Sequence, residues 1–370
     1  MGSSCSCARD PSHVLVAAPR HKCPLADRLR PCSSLTDTHS STGVRPLDRP
    51  QDCVDATAAV PLASPAPSPT PSSPFVRDYA AVSTQNSQFR AHMEDECVAI
   101  PTFRAFPDDP VVSSFFGVYD GHGGDFCAKY AAAHFHVTLA ARLQAAHNAS
   151  RALSVHKSHS TRADARADVL SSADIERCYA EAFAALDEEL QDFDESSESG
   201  STAVTCLVRQ YKGRTTFHIA NVGDSRAIFC CNGQTSRLSV DHKATNKDEV
   251  KRIRDLNGII VNKRVAGSIA VTRALGQADE KKFITSAPHI ESLEVASDDA
   301  ILVLVSDGIT DVFRDEELME FVATRLAEGE KSVTIGDMLL DEAKAQGSTD
   351  NMTAVIICFG KRRAGGGGDV

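Results

Sequence analysis

The stretch Val111-Val112-Ser113-Ser114-Phe115-Phe116-Gly117-Val118-Tyr119-Asp120-Gly121-His122-Gly123-Gly124 decides the fold. Residues 111–119 are rich in Val and aromatic side chains and read as a strand. Asp120 ends the run, and the glycines after it permit a tight turn. The same acidic punctuation recurs along the chain. Asp307 ends the apolar run 301–306, and Asp224 ends 217–223. Glu94 and Asp95 stand just before 96–100, and Asp350 just before 352–359. In an antiparallel pair the start of one strand lies beside the end of the next, so these carboxylates are expected at one rim of the sheets. Two carboxylates ~5 Å apart repel by roughly 3 kcal/mol at an effective dielectric of ~20. Four or more ionised together require a cation. An all-oxygen donor set suits a hard ion such as Mg²⁺ or Mn²⁺.

The 370 residues suffice for one large domain or two small ones, and the formal net charge of −11 argues against a nucleic-acid partner. No stretch approaches the ~20 apolar residues that span a bilayer. The twelve cysteines form no CxxC pair. Cys97, Cys127, Cys178, Cys206, Cys230, Cys231 and Cys358 are expected as reduced, mostly buried thiols of a cytoplasmic protein.

Twelve of the sixteen prolines fall in residues 1–74, among many Ser, Thr and Ala. Such a segment buries too little to offset its ordering entropy, so 1–74 is expected to be a disordered extension ending in a Pro/Ser linker. A compact domain is expected over 75–361, and a flexible glycine-rich tail over 362–370. Within the domain, 123–147 and 174–190 read as helices, separated by a polar surface insertion over 148–168. Segments 201–209, 215–220 and 227–231 read as a meander of short strands. A third helix starts at a cap on Asn246 and stops near Asn257-Gly258. Segments 315–326 and 333–345 read as two more helices, and 353–359 as the last strand. Strands and helices come in groups rather than in βαβ alternation. The expected class is therefore α+β, with antiparallel sheets covered by helices.

The residues beside the strand ends carry recognisable chemistry. Asp120 can bridge two metals, and Gly121 lets a carbonyl approach a cation. His122 is a candidate proton donor to a leaving oxygen. Arg90 offers a planar fork suited to a phosphate dianion. Asp95 can ligate metal, and Glu94 can hold a metal-bound water. His92 reads as a surface residue. Any one of these motifs alone could be an ordinary turn; their shared position at strand ends is what gives them weight.

Together the motifs resemble the metal-dependent serine/threonine phosphatases of the 2C type. The order is Arg90-x-x-Met93-Glu94-Asp95, Asp120-Gly121-His122-Gly123-Gly124, Ser199-Gly200-Ser201-Thr202-Ala203 and Asn221-Val222-Gly223-Asp224-Ser225-Arg226-Ala227. Asp241-His242-Lys243, Ala270-Val271-Thr272-Arg273-Ala274-Leu275-Gly276, Ser306-Asp307-Gly308 and Asp350-Asn351-Met352-Thr353 follow. The resemblance implies a sandwich of two antiparallel sheets flanked by helices and a binuclear Mg²⁺/Mn²⁺ centre. It implies Asp95, Asp120, Asp307 and Asp350 as carboxylate ligands, with the Gly121 carbonyl on a metal and Glu94 acting through water. Asp224 and Asp311 match a weaker third metal position. Arg90 would hold the substrate phosphate and His122 would be the general acid. Three positions depart from the usual pattern: Gln277 for Asp, Ala244 for Pro, and Thr310 for Trp. None is a metal position, and their effect is expected in loop geometry and substrate fit.

The implied substrates are phosphorylated proteins, acted on by a monomer. A catalytically silent binding module on the same fold is the rival reading, and the intact ligand set speaks against it. Small phosphorylated metabolites remain as alternative substrates. Met1-Gly2-Ser3-Ser4-Cys5-Ser6 fits an N-myristoylation signal, with Cys5 and Cys7 placed for palmitoylation. Peripheral attachment to the cytoplasmic face of a membrane is the expected consequence.

Overall fold

The computed structural model describes residues 75–157, 169–295 and 300–360. The expected acylation signal at Gly2, Cys5 and Cys7, the proline-rich residues 1–74 and the glycine-rich residues 362–370 lie outside the described residues. The chain opens with β1 (Val76–Thr84), β2 (Glu96–Phe103), β3 (Val112–Tyr119) and the two-residue β4 (Gly121–His122). Helices α1 (Phe126–Lys157) and α2 (Ser172–Leu190) follow. Next come β5 (Gly200–Ser201), β6 (Ala203–Tyr211), β7 (Arg214–Val222), β8 (Arg226–Cys231) and β9 (Gln234–Arg237). Helix α3 (Lys247–Asp255) precedes a hairpin of β10 (Ile260–Val261) and β11 (Arg264–Val265). The chain continues through β12 (Leu275–Gly276), β13 (His289–Val295), β14 (Ala300–Val305) and α4 (Asp307–Thr310). It closes with α5 (Asp315–Ala327), α6 (Ser332–Ala345) and β15 (Met352–Phe359).

Two five-stranded antiparallel sheets form the centre, in the orders β1-β15-β14-β8-β9 and β13-β7-β6-β3-β2. Their facing sides meet in an apolar layer that includes Phe116, Val118, Val204, Phe217, Leu302, Leu304, Val355 and Phe359. Helices α1 and α2 cover the outer face of one sheet through Phe115, Phe135, Tyr179, Phe183 and Leu186. Helices α5 and α6 cover the other through Val303, Leu318, Val322, Leu339 and Ile356. Burying each Phe, Leu or Val fully contributes about 1.5–3 kcal/mol, so three stacked apolar layers hold the α-β-β-α arrangement. The expected α+β class with antiparallel sheets is the class observed.

Local signals explain the helix starts. Ser171 caps α2 by accepting from Asp174 N at 3.2 Å, and the Asp174 side chain reaches back to Ser171 N at 3.3 Å. Asn246 caps α3 by accepting from Asp248 N at 3.0 Å. One boundary differs from expectation. Helix α1 runs to Lys157, so 148–157 continues the helix instead of opening an insertion. Residues 158–168 lie outside the described residues. Of the thiols, Cys97 and Cys231 are half-buried and the other five are buried, and all seven are unbridged.

Candidate active site

Strand register assembles the site. Glu96 pairs with Tyr119 across β2 and β3, which sets Asp95 beside Asp120 at the same end. Val305 pairs with Ala354 across β14 and β15, and Ser306 N donates to Thr353 O at 3.1 Å. Asp307 therefore starts α4 next to the segment that carries Asp350. Ala203 pairs with Val222 across β6 and β7, and Asp224 follows in the turn to β8. The ends of both sheets thus deliver their carboxylates to one cavity of about 900 Å³. Arg90, Glu94, Asp120, Gly121, His122, Asp224, Asp307, Asp311 and Asp350 all line it. Asp95 lies buried behind them, its Oδ2 accepting from the Ser306 hydroxyl at 2.9 Å.

The electrostatics are those of a crowded acidic pocket. Burial pushes the Asp120 carboxyl well above the usual range, and Asp95, Asp307, Asp224 and Asp350 push it further. Asp307 rises to about 8, by burial first and then by Asp224 and Asp311. Asp95 rises to about 6, mainly by burial. Asp311 is raised by burial too, with Lys243 opposing. Positive charge in the cavity would favour the ionised form of every one of these carboxyls. Among the described residues, no three Asp, Glu, His or Cys side chains already converge as a closed cage; the carboxylates ring the cavity instead. All their donor atoms are oxygens, which fits hard divalent cations that keep several waters. The residues present therefore fit the implied metals.

Two cationic side chains occupy part of this ring. Lys243 Nζ lies 2.8 Å from Asp224 Oδ2. Burial works against the Lys243 charge, and Asp224, with Asp307 and Asp311, more than offsets it, so the ammonium is held above its ordinary range. Arg90 pairs through Nη2 with Asp350 Oδ2, and its Nε donates to Thr349 O at 3.4 Å. Glu94 is fixed by its neighbours. Its Oε1 accepts from Gly124 N at 2.8 Å, and its own N–H donates to Asn351 Oδ1 at 2.9 Å. Asn351 also donates to the carbonyls of Gln85 and His92, at 2.8 and 3.0 Å. It stitches the Arg90–Asp95 loop to β15. His92 itself is exposed, as expected.

His122 sits half-buried at the cavity wall. Burial holds its imidazolium below the ordinary range; the hydrogen bond to Gln277 and the nearby Asp224 and Glu94 push the other way. Gly123 makes the turn beside it: φ is +68°, and a Cβ there would meet Glu198 O at 2.4 Å.

All ten site residues picked from sequence come together here. The sequence reading missed others. Lys243 was visible only as part of Asp241-His242-Lys243, and its partner Asp224 lies too far along the chain for spacing to pair them. Gln277 contacts His122 directly, at 2.9 Å, so its departure from the usual Asp falls against an expected site residue rather than only in a loop. Asn351 was visible as a motif member, without a signal for its role. Lys263 and Arg264, on the β10–β11 hairpin, also line the cavity.

The family model for "Protein phosphatase 2C" matches residues 79–352. Mouse "Protein phosphatase 1B" is 33% identical over 286 residues, covering 73% of this chain and 68% of that protein. "Protein phosphatase 2C homolog 1" of Saccharomyces cerevisiae is 30% identical over 302 residues, covering 78% and 96%. A solved serine-threonine phosphatase 2C from Toxoplasma gondii superposes with a TM-score of 0.61 at 22% identity, covering 78% of this chain and 96% of that one. Motif order, carboxylate-ringed cavity and family match agree: the chain belongs to the protein phosphatase 2C family and is a metal-dependent protein phosphatase.

Proposed function

We propose that the chain hydrolyses phosphoserine and phosphothreonine in proteins with two divalent cations, Mg²⁺ or Mn²⁺, and that an acylated N-terminus tethers it to a membrane. The observation that carries the catalytic reading is one cavity shared by Asp120, Asp307, Asp350, Arg90 and His122. Asp95, Asp120, Asp307, Asp350 and the Gly121 carbonyl would hold the two ions. When bound, such ions lower the pKa of coordinated water and offset phosphoryl charge.

The chain's own groups do the rest. Arg90 swings its fork from Asp350 to the phosphate dianion, trading one anionic partner for another. Glu94, clamped by the Gly124 amide, presents its remaining oxygen to water in the cavity. His122 gives a proton to the departing Ser or Thr oxygen. A third cation held by Asp224 and Asp311 would compete with the Lys243 ammonium for the Asp224 carboxylate.

Substrate class is tested by phosphate release from a phosphoserine and phosphothreonine peptide panel and from sugar and nucleoside monophosphates, using the Mg²⁺-saturated full chain. Higher kcat/KM on the peptides supports the protein substrate. Higher values on the small phosphates overturn it. The tether rests on the signal at Gly2 with Cys5 and Cys7. One myristoyl chain holds a membrane marginally, and a second chain makes attachment stable.

A further inference from the structure

A three-stranded miniature sheet, β12-β5-β4, lies beside the cavity. Each strand has two residues. His122 on β4 pairs with Gly200 on β5, and Gly200 pairs with Gly276 on β12. The residue after Gly276 is Gln277, buried, with φ at +55°. That left-handed backbone is uncommon for a side chain without a local hydrogen-bonding reason to be there. It turns the Gln277 side chain back over Gly200, onto the ring of His122. Gln277 Oε1 lies 2.9 Å from His122 Nε2. The contact needs a glycine beneath it: a Cβ on Gly200 would meet His122 Nε2 at 2.5 Å and Gln277 Oε1 at 3.0 Å.

The direction of this hydrogen bond follows from its neighbours. Gln277 Nε2 donates to Glu198 O at 3.1 Å, and Gln277 N donates to Ser199 O at 2.8 Å. A carbonyl has no proton to give, so the Gln277 amide nitrogen must face Glu198 and its oxygen must face His122. An amide oxygen only accepts. His122 Nε2 therefore carries the hydrogen, and Nδ1 is the ring nitrogen left for a substrate.

We propose that Gln277 is a positioning residue for His122: it clamps the Nε2–H, fixes ring and tautomer, and assigns proton delivery to Nδ1. The proposal rests on the reading of His122 as general acid. In the step His122 starts as the imidazolium, with hydrogen on both ring nitrogens, and its Nδ1 proton passes to the Ser or Thr oxygen as that oxygen's bond to phosphorus breaks and water takes its place on phosphorus. The electron pair of that bond stays on the oxygen. The ring ends neutral, with its hydrogen retained on Nε2 against Gln277. A glutamine does this without adding a negative charge next to the carboxylate ring.

The test compares kcat and KM on a phosphothreonine peptide and on p-nitrophenyl phosphate, for the Mg²⁺-saturated full chain. The variants are Gln277→Met, Gln277→Glu, His122→Ala and the double variant His122→Ala/Gln277→Met. Methionine keeps the length and loses the acceptor; glutamate keeps an acceptor. Gln277→Met should lower kcat on the peptide ~10-fold with KM unchanged, and lower kcat on p-nitrophenyl phosphate under ~2-fold, because nitrophenolate needs little protonation. Gln277→Glu should stay within ~3-fold of wild type on both, and the double variant should equal His122→Ala. Equal losses of Gln277→Met on both substrates, a loss confined to KM, or additive effects in the double variant would overturn the proposal.

A second measurement separates its failure from that of the acid reading. Nitrogen NMR of ¹⁵N-histidine protein, assigned by difference with His122→Ala, should show hydrogen on Nε2 in the neutral ring of wild type. It should show mixed tautomers in Gln277→Met. A neutral ring protonated on Nδ1 overturns the proposal even where His122→Ala discriminates between the substrates as an acid should. If His122→Ala costs both substrates equally, the acid role falls and the proposal with it.

Discussion

At the scale of single residues, the site is a contest between carboxylates and the few cations near them. Arg90 is nearly half exposed and paired with Asp350, so its strength is available to a ligand. A bidentate fork on phosphate exceeds a point charge in both geometry and energy. Arg90→Ala should therefore raise KM for a phosphothreonine peptide ~10-fold or more, and Arg90→Lys should recover only part of that. Steady-state kinetics checks this; a KM unchanged in Arg90→Ala would place the phosphate elsewhere. Most of the carboxylates were legible in sequence because they follow or precede an apolar run, which fixes their place at a strand end; Asp311, at the end of α4, was legible only through the family resemblance. Lys243 and Gln277 were not. Each works through a partner far along the chain, Asp224 or His122, and no periodicity encodes such a pair.

At the scale of elements, long apolar strands and capped helices were readable, and short or half-polar pieces were not. Strand β15 is buried along its whole length and reads plainly as Val-Ile-Ile. Strand β13, His-Ile-Glu-Ser-Leu-Glu-Val, is half-buried at a sheet edge and carries too weak a pattern to stand out. The two-residue strands that bring His122 to Gln277 are too short to have any period.

Helix α3 is fastened at this scale by Glu249. The residue is 2% exposed, and it accepts from Arg273 Nη2 at 2.6 Å, from Arg252 Nη2 at 3.0 Å and from the Thr272 hydroxyl at 2.9 Å. Burial alone would raise its carboxyl, but the Arg273 and Arg252 guanidiniums pull it down to about 2 from 4.5. A depressed folded-state pKa means stability that is present above the unfolded value and lost as pH falls through the folded one. Glu249→Gln leaves two guanidiniums without their carboxylate and should cost about 3 kcal/mol near neutral pH. The gap to wild type should shrink as pH falls from 4.5 toward 2. Urea unfolding of both proteins across that range checks it. A gap that does not change with pH would assign the loss to packing.

At the scale of the whole molecule, the two sheets exist to bring strand ends from distant parts of the chain to one rim. The catalytic and membrane proposals are separable, because the proposed acylation signal at Gly2 lies outside the matched residues 79–352. Gly2→Ala should move the protein from the membrane fraction to the soluble fraction without changing kcat on a soluble peptide. Identical fractionation of Gly2→Ala and wild type would end the tether reading and leave the enzyme untouched. The central claim is that Asp120 and its neighbours hold the cations that make the reaction possible. Its most direct test is phosphate release from a phosphothreonine peptide by chelator-stripped full chain, titrated with Mn²⁺, for wild type and Asp120→Ala. The account predicts wild-type turnover that rises from baseline with Mn²⁺, and at least ~100-fold less in Asp120→Ala at saturating metal with the fold retained by circular dichroism. Full turnover in stripped wild type, or Mn²⁺-dependent turnover in Asp120→Ala equal to wild type, would contradict it.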